Sequence, residues 1–188
     1  EGSKAFTKEF LRRHRIPTAA YATFTKASFD PAWVRAQRAP IVVKASGLAA
    51  GKGVVIAASA DEAISTAQAM FAGRFGGAGE EVVIEEFLEG EEASFIVMAD
   101  GEHFLPLATS QDHKRLGDAD TGPNTGGMGA YSPAPVVTPA MNDRILREVI
   151  EPTIRGLAAD GMPYTGFLYA GIMITPAMPR AGSIQKNV

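Results

Sequence analysis

The sequence contains no cysteine among its 188 residues. Disulfide bridges and thiolate metal sites are therefore excluded, which fits a reducing compartment. The three histidines are scattered along the chain and lack the close spacing of zinc ligands. No apolar run reaches the roughly 18 residues of a membrane-spanning helix, and no signal peptide is visible. We therefore expect a cytoplasmic protein that does not cross a membrane.

An excess of positive charge is also missing. The chain has 18 Lys and Arg against 21 Asp and Glu, a net charge of −3 and a pI of about 5.7. It therefore lacks the general basic surface of nucleic-acid-binding proteins, and any anion site must be local. The local candidates are Lys44, Lys52 and the pair Lys114 and Arg115. At 46% hydrophobic residues the chain has enough apolar material for a core.

The most informative segment spans residues 41–56, where two β-branched runs flank a glycine-rich loop. Lys44 ends the first run, and Lys52 lies between two glycines. Glycines let backbone N–H groups approach an anion closely, and the lysines supply the countercharge. The segment therefore predicts a cradle for nucleotide phosphates, with these members: Lys44, Gly47, Gly51, Lys52 and Gly53.

The spacing of this loop excludes the commoner phosphate loops. A Walker A loop has four residues between its first glycine and the Gly-Lys pair and then Ser or Thr, whereas here three intervene and Gly53 follows. A Rossmann loop opens a helix, but the residues after Gly53 are typical of a strand. In a protein kinase the phosphate-binding lysine follows the loop, and Lys44 precedes it. The order favours an ATP-grasp nucleotide site, with a glycine-rich hairpin carrying two solvated lysines as the alternative.

The rest of the chain predicts an α+β fold with a mixed or antiparallel sheet and two lobes. We expect a small lobe over 1–86, a larger lobe over 87–175 and an unassigned tail over 176–188. Capping residues and apolar spacing predict helices, and apolar or alternating runs predict strands. The expected helices are 3–14, 30–38, 59–71 and one from 138; the expected strands are 21–24, 82–88, 93–98, 104–107 and 167–174. Residues 73–79 are expected to form a flexible connector and 110–135 a long irregular loop.

Two groups of residues supplement the phosphate cradle. Glu85, Glu86, Phe87 and Leu88 end a buried strand, where free backbone N–H and C=O groups match the edge of adenine. Glu91 or Glu92 is a candidate acceptor for ribose hydroxyls. The alternative for this acidic group is a solvated strand end.

A further constellation begins at Ser110 and continues through Gln111-Asp112-His113-Lys114-Arg115 to the glycines near Gly129. Adjacent cations and a glycine-rich backbone suit a phosphate or carboxylate of a second substrate. The alternative is an exposed loop with unrelated charges. No Gly-x-Ser-x-Gly elbow is present, so the sequence gives no indication of a Ser-His-Asp catalytic triad.

The sequence resembles the phosphoribosylamine–glycine ligases of purine biosynthesis, also called glycinamide ribonucleotide synthetases, from residue 2 to about 174. The similar blocks are 2–6, 44–53, 85–88, 90–95, 111–115, 121–133 and 165–171. The resemblance implies an ATP-grasp fold and small-molecule substrates, namely ATP, glycine and phosphoribosylamine. That family uses ATP and magnesium to convert glycine to glycyl phosphate, which the amine of phosphoribosylamine then attacks.

The resemblance also implies roles for individual residues. Lys44 and the glycine loop would hold phosphates, Glu85 to Leu88 adenine, and Glu92 ribose. The acyl-acceptor side would comprise the catalytic candidates Asp112, Lys114 and Arg115 and the substrate-binding candidates Asn124, Gly126, Gly127 and Met128.

The chain departs from the family at the magnesium ligands. The family has a Glu-Phe-Asn segment just after the strand at 166–174, and here no acidic residue follows Asp160. We therefore assign no metal ligand, and we expect a fragment that binds ATP and is inactive alone, since the family has sequence before and after this region. The alternatives are another ATP-grasp carboxylate–amine ligase and a nucleotide-binding module without catalysis. The oligomeric state stays open.

Overall fold

The computed structural model describes residues 2–49, 53–119, 121–176 and 184–186. The chain divides into two compact units. The first unit comprises the residues up to Arg13 together with Thr18–Leu88, and the second comprises His14–Pro17 together with the residues from Glu89 onward. The predicted lobe ranges remain predictions, and most of the tail at 176–188 lies outside the described residues.

The helices of the first unit begin at side-chain caps that the sequence predicts. They are α1 (Lys4–Arg13), α2 (Pro31–Arg35) and α3 (Ala60–Ala69). The Ser3 hydroxyl accepts from the backbone N–H of Phe6 at 3.1 Å, and the Asp30 carboxylate accepts from Ala32 at 2.9 Å. These contacts satisfy donors that a helix N-terminus leaves unpaired. The helix predicted over 30–38 is shorter than expected, because α2 ends at Arg35.

The sheet of the first unit contains β1 (Tyr21–Thr25), β2 (Ile41–Ala45), β3 (Val54–Ala57) and β4 (Glu81–Glu86). The strands lie in the order β1-β4-β2-β3, and all neighbours are antiparallel. Val43 lies opposite Ile84, and both belong to a buried cluster that also includes Ala63 and Ala67 of α3. Because side chains alternate across a strand, this cluster defines one face of the sheet and leaves residues 42, 44, 83 and 85 on the other.

The segment between α3 and β4 is not the flexible connector that its glycines predict. It forms a π-helical turn at Met70–Arg74 and a 3-10 turn at Gly76–Gly79. Gly79 is buried, and a Cβ placed there would clash with the carbonyl oxygen of Met70. At this position glycine permits a close backbone approach.

We expect Gly79→Ala to lower the free energy of unfolding of the first unit by about 1–3 kcal/mol, the usual cost of overpacking. Gly77→Ala is the matched control, because a Cβ there would come no closer than 3.7 Å to the Glu80 side chain. Urea unfolding followed by the fluorescence of Trp33, which packs on the first unit's core, measures both changes. Equal effects of the two substitutions would contradict the close packing at Gly79.

The second unit contains two antiparallel sheets in its described part. One has the order β10-β9-β5-β6 and the other pairs β7 with β8. The strands are β5 (Glu91–Asp100), β6 (Phe104–Pro106), β7 (Gln111–Gly117), β8 (Thr121–Tyr131), β9 (Thr165–Ile174) and β10 (Ile184–Lys186). The strands expected over 93–98 and 104–107 are confirmed, and they form a hairpin around Asp100-Gly101 in which Ala99 pairs with Phe104. The strand expected over 167–174 is confirmed as β9, which lies between β10 and β5; Phe167 is exposed, so β9 is buried only in its second half.

The irregular loop predicted over 110–135 is wrong, because most of this segment forms the β7–β8 hairpin. His113 pairs with Gly129 and Arg115 with Asn124, with register shifts between the paired positions. Several glycines of β8 have positive φ angles, including Gly127 at 130°. Glycines and bulges interrupt the two-residue alternation of a regular strand, so the sequence carries no clear strand signal.

A continuous helical run follows, as predicted from residue 138. It comprises α4 (Pro139–Ile145), a π-helical turn (Leu146–Ile150) and α5 (Glu151–Ala159). Its apolar residues recur at helical spacing and are buried: Ile145, Val149, Ile150 and Ile154. Among the described residues, no helix combines the length and the apolar character needed to cross a membrane.

Candidate functional site

Lys44 and Glu85 lie on the same face of the first unit's sheet, opposite the apolar cluster. The register pairs Glu85 with Val42, and Lys44 follows Val42 by two residues. Diagonal neighbours on one face of an antiparallel pair are close enough for long side chains to meet. The Lys44 ammonium lies 3.1 Å from the Glu85 carboxylate.

A second lysine binds the same carboxylate. Lys8 of α1 lies 2.9 Å from the other oxygen of Glu85, so one carboxylate lies between two ammonium groups. Lys8 is 4% exposed, Lys44 6% and Glu85 2%. Burial lowers the pKa of Lys8 below its ordinary value, while the attraction of Glu85 opposes this shift. We call these residues the buried triad; it is the most strongly desolvated charge cluster in the described part of the chain.

The first glycine of the predicted phosphate loop is in tight contact with the chain around it. The backbone N–H of Gly47 donates to the carbonyl of Ala78 at 3.1 Å, and a Cβ at Gly47 would lie 2.7 Å from the Ala78 Cα. The carbonyl of Gly47 accepts from the Lys4 ammonium at 3.3 Å. Gly47 thus anchors the start of the loop, and its own N–H is engaged within the protein.

Gly53 lies at the other end of the loop. Its carbonyl accepts from the Ala45 backbone at 2.8 Å, and a Cβ there would lie 2.6 Å from the Ala49 Cβ. The predicted contacts Gly51 and Lys52 lie outside the described residues. The described ends of the loop are therefore fixed: Gly47 is held by Ala78, and Gly53 is held by Ala45 at the end of β2, the strand that carries Lys44.

The predicted adenine segment divides at the end of β4. Glu85 and Glu86 belong to the strand, and Glu85 pairs with both Tyr21 and Val42, so its backbone is enclosed by two neighbours. The Glu86 carboxylate accepts from the Ala20 N–H at 2.8 Å. The next residues, Phe87 and Leu88, are half-buried and lie beyond the strand. Phe87 and Leu88 are therefore the residues of this segment whose backbone groups lie outside the sheet.

In the second unit, Lys114 is held by two carboxylates. Its ammonium lies 3.1 Å from Glu92 and 3.8 Å from Asp112. Burial opposes its charge, but Glu92 and Asp112 outweigh that effect and raise the pKa of Lys114 above its ordinary value. The structure thus brings together the predicted ribose acceptor Glu92 and the predicted catalytic residues Asp112 and Lys114.

The other predicted substrate residues lie on the β7–β8 hairpin. Arg115 is exposed and donates to the carbonyl of Gly122 at 2.7 Å, which leaves most of its guanidinium donors available. The backbone of Asn124 pairs with Arg115, while its side chain is outside the described structure. A Cβ at Gly126 or Gly127 would have no neighbour within 4 Å. The Met128 side chain is exposed, so this part of the hairpin presents open backbone.

Sequence reasoning missed one residue and one set of contacts at these sites. Lys8 is the residue, although a lysine three residues before Leu11 shares the buried face of α1. The contacts link the hairpin to β5: the Tyr131 hydroxyl donates to Gln111, and the Gln111 amide donates to Glu91 at 3.4 Å. Gln111 is buried, and only the strand pairing shows that Tyr131 lies opposite it.

Comparison with known proteins gives the family. A sequence profile described as phosphoribosylglycinamide synthetase, ATP-grasp (A) domain, matches residues 2–184. The chain belongs to this family. The predicted resemblance is thereby confirmed.

Individual relatives of this ATP-grasp domain agree with the profile. The chain is 70% identical over 175 residues to a phosphoribosylamine–glycine ligase of Vibrio cholerae, 67% to one of Pseudomonas aeruginosa and 65% to one of Escherichia coli. Each comparison covers 93% of this chain and 41% of the relative. The chain thus spans about two fifths of the length of these curated relatives.

Solved structures support the predicted α+β ATP-grasp fold. The phosphoribosylamine–glycine ligase of Thermotoga maritima is 36% identical with a TM-score of 0.83, covering 99% of this chain and 46% of that one. A D-alanine–D-alanine ligase of Bacillus anthracis is 20% identical with a TM-score of 0.67, covering 98% of this chain and 55% of that one. At that identity the second likeness concerns the fold alone.

The described residues of this ATP-grasp domain do not fit a magnesium site. Among them, no group of three or more His, Asp or Glu side chains is arranged to hold a metal ion. Magnesium prefers carboxylate oxygens, and the sequence has no Asp or Glu after Asp160. No metal ligand is therefore assigned.

Proposed function

We propose that the polypeptide containing this sequence uses ATP to join glycine to 5-phosphoribosylamine, giving glycinamide ribonucleotide for de novo purine biosynthesis. The observation that carries the proposal is the 65–70% identity to phosphoribosylamine–glycine ligases over 175 residues, which is 93% of this chain. The chain covers only part of those relatives, so these residues supply part of the machinery. The absence of cysteine fits a reducing compartment, which supports a cytoplasmic reaction.

In the proposed reaction a carboxylate oxygen of glycine attacks the γ-phosphorus of ATP and ADP leaves, forming glycyl phosphate. The amine of phosphoribosylamine then attacks the acyl carbon, and phosphate leaves as the amide bond forms. Magnesium, when bound, would neutralise phosphate oxygens in the first step. The contribution of this chain is to bind and orient ATP and phosphoribosylamine, the two substrates that carry phosphate groups.

For the nucleotide, we assign the phosphates to Lys44 and to the loop that contains Gly51, Lys52 and Gly53, with Gly47 anchoring the start of that loop on Ala78. Burial of Lys44 supports this role, because a charge-assisted hydrogen bond is strong where water is scarce. Within the segment Glu85 to Leu88, we assign the edge of adenine to Phe87 and Leu88, which lie beyond the β4 ladder. Glu86 is fixed on Ala20, so it supports this edge from the strand.

For ribose and the second substrate, we assign residues of the second unit. Glu92 is the ribose acceptor, and its contact with Lys114 shows that the carboxylate already accepts hydrogen bonds. Lys114 and Arg115 would bind an anionic group of the acyl acceptor, with Asp112 orienting Lys114. The open backbone at Asn124, Gly126, Gly127 and Met128 would complete that side.

A second candidate is a nucleotide-binding module that does not catalyse ligation by itself. The absence of acidic residues after Asp160 favours it for these 188 residues taken alone. A third possibility, a different ATP-grasp carboxylate–amine ligase, would share the nucleotide residues and differ in its acyl acceptor. Binding of phosphoribosylamine analogues to the full polypeptide distinguishes this possibility from the proposed ligase.

We expect Lys44→Ala to weaken ATP binding by about 1.5–3 kcal/mol, the range for hydrogen bonds to charged groups. Lys8 remains paired with Glu85 in this variant, so no carboxylate is left alone in the buried triad. Lys26→Ala is the matched control, since Lys26 is exposed in a turn of the same unit. Titration calorimetry with ATP measures both variants, and equal losses would contradict the role of Lys44.

A further inference from the structure

The buried triad carries more positive than negative charge. Two ammonium groups, those of Lys8 and Lys44, share the carboxylate of Glu85 at 2.9 and 3.1 Å. The Glu86 carboxylate also attracts Lys8, but this residue is exposed and water screens it. Among the described residues, the buried group therefore has one positive charge without a buried negative partner, which is unusual because burying a charge is costly.

The two lysines are held very differently. Lys8 also donates to the Thr18 hydroxyl at 2.7 Å and the Ala19 carbonyl at 3.4 Å, and its ammonium lies 5.1 Å from the centre of the Tyr21 ring. Within the described part of the chain, Glu85 is the ion-pair partner of Lys44. Among the described residues, Lys8 is thus fixed by several contacts, whereas Lys44 has the single ion pair with Glu85.

We propose that Lys8 is a positioning residue that keeps Glu85 neutralised, so that the Lys44 ammonium is released to bind a nucleotide phosphate. A buried carboxylate with one lysine partner would hold that lysine tightly, because its departure would leave a charge unpaired. With Lys8 in place, Glu85 remains paired when Lys44 turns toward an anion. The excess positive charge also attracts that anion. The proposal rests on the nucleotide role of Lys44 given above.

The test compares ATP with adenosine, which has the same base and ribose but no phosphate. In the polypeptide containing this sequence, we expect Lys8→Met to weaken ATP binding at least about tenfold and adenosine binding less than about twofold. A merely structural role of Lys8 would weaken both ligands equally. Lys8→Arg, which keeps the charge, should restore ATP affinity to within about threefold, and Lys26→Met should leave both affinities unchanged.

The outcomes distinguish failure of the proposed function from failure of this inference alone. Failure of the unmutated protein to bind ATP would overturn the proposed function and this inference together. Normal ATP binding with equal losses for ATP and adenosine in Lys8→Met, or no loss, would overturn the inference alone. If Lys8→Met does not fold, the inference is tested by nuclear magnetic resonance of the lysine ammonium groups in the unmutated protein. Saturation with ATP should shift the Lys44 signal strongly and the Lys8 signal little, and an unmoved Lys44 signal would overturn the inference.

Discussion

Replacing Glu85 by glutamine should destabilise the first unit by about 3–5 kcal/mol, the cost of leaving a buried charge without its partner. The substitution keeps the size of the side chain but leaves Lys8 and Lys44 as two buried cations without the carboxylate that joins them. Their mutual repulsion then adds to the cost of desolvation. This is the largest stability effect we expect from a single substitution in the chain.

The matched control is Glu81→Gln, which changes the same chemical group on the same strand at an exposed position. We expect it to alter the free energy of unfolding by less than about 0.5 kcal/mol. Trp33 is the single tryptophan and lies in the first unit, so its fluorescence in urea follows this unit separately. A difference below about 1 kcal/mol between the variants would mean that water or another carboxylate already compensates the lysines.

The loss caused by Glu85→Gln should shrink at alkaline pH. Burial already lowers the pKa of Lys8 in the unmutated protein, and removal of the Glu85 charge would lower it further. Between this lowered pKa and the ordinary pKa of lysine, the unfolded state binds more protons than the folded state. Stability of the variant therefore rises with pH in that window. The same urea experiment at increasing pH measures this slope.

The first unit was predictable where the signals are local. Two β-branched runs around a glycine loop predict β2 and β3, and Asp30-Pro31 and Ser59 predict the beginnings of α2 and α3. The buried position of Lys44 also follows from its place at the end of an apolar run. The local pattern does not reveal the partner of Lys44, because the pairing of β2 with β4 brings Glu85 to Lys44.

The burial of Lys8 could have been predicted from its position in the sequence. It lies at helical spacing from the buried Leu11, so a charged group occupies the apolar face of α1. Such a residue requires a compensating charge elsewhere. Glu85 directly follows the apolar residues Val82, Val83 and Ile84, so its carboxylate in turn requires a positively charged partner. Pairing the two would have predicted that α1 covers β4.

The β7–β8 hairpin was not predictable from local pattern. Its second strand is rich in glycine and its register shifts twice, so neither propensity nor alternation indicates a strand. Its pairing depends on contacts between residues far apart, such as the Thr125 hydroxyl donating to the Lys114 carbonyl at 2.9 Å. Asp112, Lys114 and Arg115 could be predicted as candidate site residues from the sequence, but the strand pairing that positions them could not.

We expect a polypeptide limited to these 188 residues to make glycinamide ribonucleotide at least about a hundredfold more slowly than the full reading frame that carries them. Phosphoryl transfer depends on positioning and on metal ions that neutralise phosphate oxygens, a contribution of several kcal/mol. A loss of about 3 kcal/mol corresponds to roughly a hundredfold in rate. The sequence has no carboxylate after Asp160, and the described residues form no group suited to magnesium.

The two polypeptides should be compared in a coupled assay of ADP release with glycine, phosphoribosylamine and magnesium. The full-length ligase of Vibrio cholerae, 70% identical over the shared region, serves as the positive control. ATP affinity measured on the same samples separates loss of chemistry from loss of binding, because Lys44 and the glycine loop are retained in both. Comparable turnover in the short and full-length polypeptides would show that these residues build the metal site themselves. Glu91 and Glu92 would then be the first carboxylates to replace, since they lie at the start of β5 beside Gln111 and Lys114.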